Sequence, residues 1–161
     1  MQEIVDSAEE HKVATYENQD SIFFILAPIK TKTFHNEKVA IKIAQKIKEV
    51  LTKHNKLAKQ KIEFGISLNY GTIVAKLETD SLKFMSMGTL ITTARKIASL
   101  SDEEILIGEK FKSKLESNIK TEKHTQGNVD FYTIKEIKSR EEHKDFIKNF
   151  LSRLEGEKKK D

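Results

Sequence analysis

Few side chains in this sequence have both the type and the spacing for chemistry. There is no cysteine, which removes thiol nucleophiles, thiolate zinc sites and disulfides. The five histidines, His11, His35, His54, His124 and His143, show no metal-site spacing, and each reads as a surface residue. No G-x-S-x-G elbow presents a serine nucleophile, and neither a P-loop nor a dinucleotide-binding glycine fingerprint occurs. What remains is one carboxylate, Asp20, in the turn Asn18-Gln19-Asp20 between two strand-like runs. In that place it reads first as a turn residue. As a ligand it would offer oxygen to a hard divalent cation. Met85 and Met87 read as packing side chains.

The elements that would position these residues follow from periodicity. Residues 1–10 read as a short helix or a frayed start. Residues 11–17 and 21–27 read as a β-hairpin, and SIFFILA is apolar nearly throughout, as expected of a strand buried on both faces. Val39, Ile43, Ile47, Val50 and Leu51 recur at helical spacing with lysines between them, giving a helix over 36–55 with Asn36 as N-cap. Residues 61–68 and 72–77 read as strands joined by a tight turn at Asn69-Tyr70-Gly71, and 82–87 as a further strand ended by Gly88. A second helix, 89–100, buries Leu90, Ile91, Ala94, Ile97 and Ala98. A strand at 104–107, a helical segment at 108–115 and a strand at 129–136 follow. Ser139 and Glu142 form a capping box that opens a last helix with the apolar stripe Phe146, Ile147, Phe150, Leu151 and Leu154. That stripe predicts docking on the rest of the chain. The fold class is α+β, a mainly antiparallel sheet covered by helices. It divides into a domain over 1–138, an amphipathic helix over 139–156 ended by Gly156, and a basic tail over 157–161.

At 161 residues the chain suits one ordinary domain. Hydrophobic residues at 37% and charged residues at 34% mark a soluble globular composition. No apolar run approaches the roughly 20 residues of a membrane span. The polar, acidic start MQEIVDSAEE is neither a signal peptide nor a basic transit sequence, and with the missing cysteines it points to a cytoplasmic protein. The net charge of +4 comes from interspersed signs, so the lysines read as solvated helix faces before they read as a nucleic-acid patch.

The stretch SLNYGTIVAKLETDSLKFMSMGTLITTARKI resembles the class III adenylyl/guanylyl cyclase family, with its G-I-H-T-G-x-V-x-x-G and Y-x-x-x-G-x-x-V-N-x-A-x-R-L motifs. Gly71, Gly88 and Ala94 fall on family positions. Upstream, YENQDSIFFILAP is similar to the family hairpin K-x-x-G-D-x-x-x-A-x-F, with Asp20 on its aspartate. Downstream, EEILIGEKFKSKL and FYTIKEI are similar to its later segments. The match spans roughly residues 11–138 and rests on the order of several short motifs. It implies a ferredoxin-like-derived, class III nucleotidyl cyclase-type fold.

In that family two metal ions activate a ribose hydroxyl and stabilise departing pyrophosphate, in active sites formed between head-to-tail partners. By the resemblance, Asp20 stands on one metal aspartate. The second normally lies on an earlier strand, and no matching motif precedes residue 11; Asp6 is the nearest acid, in an unlike context. The catalytic asparagine falls on Thr92 and the catalytic arginine on Lys96, with Arg95 one position off. The base-reading lysine and aspartate fall on Tyr16 and Met85. A one-residue shift turns a helix side chain by about 100°, and lysine lacks the bidentate fork of arginine. The expectation is therefore a non-catalytic cyclase-like module for dimerisation or signalling, with no cofactor, Mg²⁺ or Mn²⁺ mattering only if the chain is active. A homodimer or a cyclase-like partner is expected, with 69–71 and 82–87 near the interface, and a nucleotide is a candidate ligand. The alternatives are a weakly active or partner-completed cyclase acting on ATP or GTP, and a nucleic-acid or ribosome-associated protein. The family's sheet also begins with a central strand that has no counterpart here, which would leave backbone groups for another segment or a second chain to cover.

Overall fold

A computed structural model describes residues 2–18, 20–79, 81–115 and 119–137; the C-terminal helix and tail expected at 139–161 lie outside the described residues. Helix α1 (Gln2–Glu10) leads into a hairpin of β1 (Ala14–Asn18) and β2 (Ser21–Ile25). A single turn, α2 (Pro28–Thr31), and the long helix α3 (Asn36–Leu57) return the chain to β3 (Ile66–Leu68). Strands β4 (Val74–Glu78) and β5 (Ser81–Ser86) precede α4 (Gly88–Ala98), and β6 (Ile105–Gly108) precedes the short α5 (Glu109–Lys112). Strands β7 (Ile119–Gln126) and β8 (Val129–Ile137) close the described chain.

The strands form one four-stranded sheet, in the order β3-β6-β8-β7, and two separate hairpins, β1-β2 and β4-β5. Pairing is antiparallel everywhere except between β3 and β6. On one face of the four-stranded sheet, Ala40, Ile41 and Ala44 of α3 pack with Leu68, Ile107, Phe111 and Tyr132. On the other, Ile97 of α4 packs with Leu106, Val129 and Phe131. Ile107 is fully buried, in keeping with a short apolar strand covered on both faces.

The local chemistry explains most boundaries. Pro28 opens α2, where its missing N–H costs nothing. His35, not Asn36, is the N-cap of α3, and Asn36 is the first helical residue, its amide donating to the Thr33 carbonyl at 3.2 Å. At the far end the Asn55 side chain imitates a strand partner: Nδ2 donates to the Ile62 carbonyl at 2.9 Å and Oδ1 accepts from the Ile62 N–H at 2.8 Å. This clamp turns the chain from α3 toward β3. The Ser67 hydroxyl donates to the Ala94 carbonyl at 2.8 Å and accepts from Asn69 Nδ2 at 2.9 Å, tying the end of β3 to α4.

Three expectations are corrected. Asn69–Gly71 is not a hairpin turn: β3 pairs in parallel with β6, and β4 pairs with β5. Two adjacent strand-like runs with a glycine between them do not reveal locally whether they pair with each other. Strand β7 was not expected, because its sequence IKTEKHTQ is polar at every position after Ile119 and shows no apolar alternation. Finally, β2 is not buried on both faces: Ile22 is 50% exposed and Phe23, Phe24 and Ile25 are half-buried, because the hairpin has no third strand among the described residues.

Candidate functional site

The residues assigned by resemblance sit on three elements: the β1-β2 hairpin, β5 and the start of α4. Gly88, which opens α4, has φ of +52°, a backbone state that suits glycine and reorients the chain from strand to helix. Thr92 and Lys96 are four residues apart on α4 and both are exposed, so they share one solvent-facing stripe.

Asp20 lies in the β1-β2 turn with its side chain 81% exposed. Its carboxylate accepts a hydrogen bond from the Ser21 hydroxyl at 3.1 Å and pairs with the Arg95 guanidinium of α4 at 2.9 Å. The Ser21 hydroxyl, a backbone N–H and the Arg95 charge together hold this carboxyl below its ordinary value of 3.8. The structure thus brings Asp20 and α4 together through Arg95, and the rotation between neighbouring helix positions separates that contact from the Thr92–Lys96 stripe. Sequence reasoning set Arg95 aside as out of register. No local signal identifies it as the partner of a residue 75 positions away.

Tyr16 and Met85 are separated in a different way. The Tyr16 ring packs 6.0 Å from Phe23, its cross-strand partner, and 5.9 Å edge-on from Phe84 of β5. It is half-buried in an aromatic cluster that joins the two hairpins. Met85 follows Phe84 at a bulge in β5, where the register against β4 shifts between Val74 and Ala75, and it is 70% exposed. Val74 and Leu77 of the same hairpin are also exposed apolar residues. Neither the cavity lined by Glu10, His11, Lys12, Thr31, Thr33 and Val39 nor the groove lined by Gln45, Lys48, Glu104, Ile105, Thr133 and Ile134 includes any assigned site residue. Among the described residues no group of three or more His, Asp or Glu side chains converges as a metal site. No helix among them is long and apolar enough to cross a membrane.

No protein-family model and no curated protein matches the sequence. Solved structures do match. The chain superposes on the dimeric guanylyl cyclase domain of the RhoGC fusion protein from the aquatic fungus Blastocladiella emersonii with a TM-score of 0.67 at 18% identity, covering 85% of this chain and 79% of that one. The guanylyl cyclase Cya2 matches with a TM-score of 0.61 at 14% identity, over 86% of this chain and 78% of that one. The adenylyl cyclase CyaB from P. aeruginosa gives 0.54 at 15% identity, over 86% and 79%. The architecture is therefore that of the class III nucleotidyl cyclase catalytic domains, an α+β fold with mostly antiparallel strands.

Proposed function

We infer that this chain is a nucleotidyl cyclase-like module that pairs with a second copy or a cyclase-like partner in signalling, and that it does not itself cyclise a nucleotide. The observation that carries the reading is the Asp20–Arg95 pair. The carboxylate assigned by resemblance to a metal ion is already paired with a guanidinium at 2.9 Å. A single carboxylate so engaged is a poor holder of two divalent ions, each of which needs several oxygen ligands to compensate for lost hydration.

The other positions point the same way. Thr92 has no carboxamide to orient a ribose. Lys96 is a point charge where a planar fork would spread over a developing charge. Met85 offers only a weak thioether acceptor to a purine edge, and the Tyr16 ring is committed to Phe23 and Phe84. Loss of one positioned transition-state donor typically costs about 10²–10³ in rate, and here several are replaced at once. Incubation with ATP or GTP and Mn²⁺ or Mg²⁺ is expected to give no cyclic nucleotide. Production that Asp20→Ala abolishes overturns the reading. A nucleotide titration with and without Mn²⁺, run beside a mass measurement in solution, separates a ligand-binding dimer from a purely structural one.

The exposure of Thr92, Lys96 and Met85 favours one second reading, in which a partner chain completes a working site against this surface. It predicts metal-dependent turnover only on mixing with that partner.

A further inference from the structure

Strands β3 and β6 are parallel neighbours, so the chain leaves both at the same edge of the four-stranded sheet. After β3 it continues as Asn69-Tyr70-Gly71, and after β6 as the α5 turn. The two exits touch. A Cβ on Gly108 would come within 2.5 Å of Asn69 Oδ1, and Asn69 is held from its other side by the Ser67 hydroxyl. A Cβ on Gly71 would meet Leu90 of α4 at 3.0 Å. Tyr70 is thus fixed between two closely packed neighbours, yet it is 52% exposed.

The ring has cations beside it. Lys114 Nζ lies 5.1 Å from its centroid. The Ser113 N–H bonds to the Glu109 carbonyl, so the chain is still helical there, and Lys110, four residues before Lys114, shares its side of the turn. Lys110, Lys112 and Lys114 are all exposed. Lysines elsewhere are held by carboxylates, as in Lys46–Glu49, Lys76–Glu78, Lys120–Glu136 and Lys135–Glu122. Among the described residues no carboxylate pairs with Lys110, Lys112 or Lys114. The acid of α5, Glu109, is turned to the Tyr132 hydroxyl, and Lys112 lies over the Tyr132 ring at 5.7 Å.

We propose that Tyr70 and the α5 lysines form a binding site for single-stranded nucleic acid, in which an unpaired base stacks on Tyr70 and Lys110 and Lys114 hold the flanking phosphates. An exposed ring offers a stacking surface to any base, and lysines follow a phosphate backbone without reading its sequence. An acidic polypeptide would satisfy the charges and leave the ring without a partner. A duplex keeps its bases stacked on one another and offers none to the ring. The site uses none of Tyr16, Asp20, Met85, Thr92 or Lys96, so it goes beyond the cyclase-like reading. The sequence places 69–71 near a pairing interface, and the experiment must separate that role from this one.

Fluorescence anisotropy of a labelled deoxythymidine decamer, titrated with the full chain between about 50 and about 200 mM salt, tests the proposal. Affinity is expected to fall with salt at a log–log slope of about −1.4, two single-strand phosphate contacts at about 0.7 each. Tyr70→Ala is expected to weaken binding about fivefold or more, and Tyr70→Phe to keep it. The chain has no tryptophan, so its tyrosine emission can be read directly. The decamer is expected to quench that emission, after correction for its own absorbance, and Tyr70→Phe to abolish the quenching. Lys110→Gln with Lys114→Gln is expected to bring the salt slope near zero. Lys53→Gln with Lys56→Gln removes the same charge from exposed positions at the end of α3 and is expected to change nothing. No binding at the lower salt, unchanged affinity in Tyr70→Ala, or equal losses in the two lysine doubles overturns the proposal. So does competition by a duplex or by a glutamate decapeptide that matches the unlabelled decamer. A Tyr70→Ala chain that loses self-association in sedimentation and still binds the decamer as before assigns the ring to pairing instead.

Discussion

At the residue scale the informative side chain is Asp20. Its carboxyl is largely exposed, yet it is held below the ordinary value of 3.8, first by the Ser21 hydroxyl, then by a backbone N–H, then by the Arg95 charge. A carboxyl depressed in the folded state contributes stability that is present above its unfolded value and is lost as pH falls through the folded one. Both side-chain contacts lower this carboxyl, Arg95 through its charge and its hydrogen bond. In an acid titration followed by NMR at the Asp20 carboxyl carbon, Ser21→Ala and Arg95→Ala are therefore each expected to move the midpoint up. An unmoved midpoint in Arg95→Ala would remove the contact with α4. The position of Asp20 was legible in the sequence, because Asn18-Gln19-Asp20 separates two strand patterns. Its partner was not, because the pairing depends on how α4 is rotated against the hairpin, which only tertiary packing fixes.

Among the elements, the β4-β5 hairpin carries the interface expectation. Four large apolar side chains in six residues, Leu82, Phe84, Met85 and Met87, were visible in the sequence, and so was the rule that alternate residues face opposite ways. Which face is inward was not. The structure turns Phe84 onto Tyr16 and leaves Met85 in solvent. Phe84 is half-buried, so Phe84→Glu is expected to destabilise the chain by about 1–2 kcal/mol from lost burial, seen as a fall in Tm. Met85→Glu is expected to leave Tm nearly unchanged and, if this hairpin is the pairing surface, to yield a folded monomer by sedimentation. Unfolding by both substitutions would place both side chains in a core. The hairpin of β7 and β8 behaves differently. Its sequence hid it because it is held by charges: Lys120–Glu136 at 2.8 Å directly across the strands, with Lys123–Asp130 at 2.7 Å and Lys135–Glu122 at 2.5 Å on diagonals. Hydrogen bonds from the lysines lower the Glu122 and Asp130 carboxyls, and those same bonds raise Lys123 and Lys135. The acids contribute above their ordinary values of 4.5 and 3.8 and lose it as pH falls through the lowered ones. The lysines contribute below 10.5 and lose it as pH rises through the raised ones. The hairpin amides are thus expected to show greatest protection, after correction for intrinsic exchange, on a plateau between those limits, falling on both sides and shrinking in high salt. A profile flat from pH 3 to 7 would show that the pairs contribute nothing.

For the whole molecule, the order of helices and strands was readable from periodicity, but the grouping of strands into sheets was not. Parallel pairing of β3 with β6 joins segments separated by α4 and the β4-β5 hairpin, and no local pattern encodes such a pairing. What fixes it is close approach between layers. At Gly65, one residue before β3, a Cβ would fall on the carbonyl oxygen of Ala98 at the end of α4 and crowd the Ser101 side chain. The backbone of the chain entering β3 therefore rests on the backbone of the helix that covers the sheet. A methyl group there cannot be absorbed by a rotamer change, because the obstacle is main chain; the helix or the strand must shift. That shift would strain the Ser67–Ala94 hydrogen bond and the packing of Ile97, which is 1% exposed, against Leu106. Gly65→Ala is accordingly expected to cost about 1–3 kcal/mol, the usual range for overpacking, with faster amide exchange in both β3 and α4. Gly71→Ala is the matched comparison. There a Cβ meets only the flexible end of Leu90 at 3.0 Å, and that side chain can turn aside, so the loss should be smaller. Equal losses at the two positions in urea denaturation would mean that backbone contact at Gly65 does not hold α4 to the sheet.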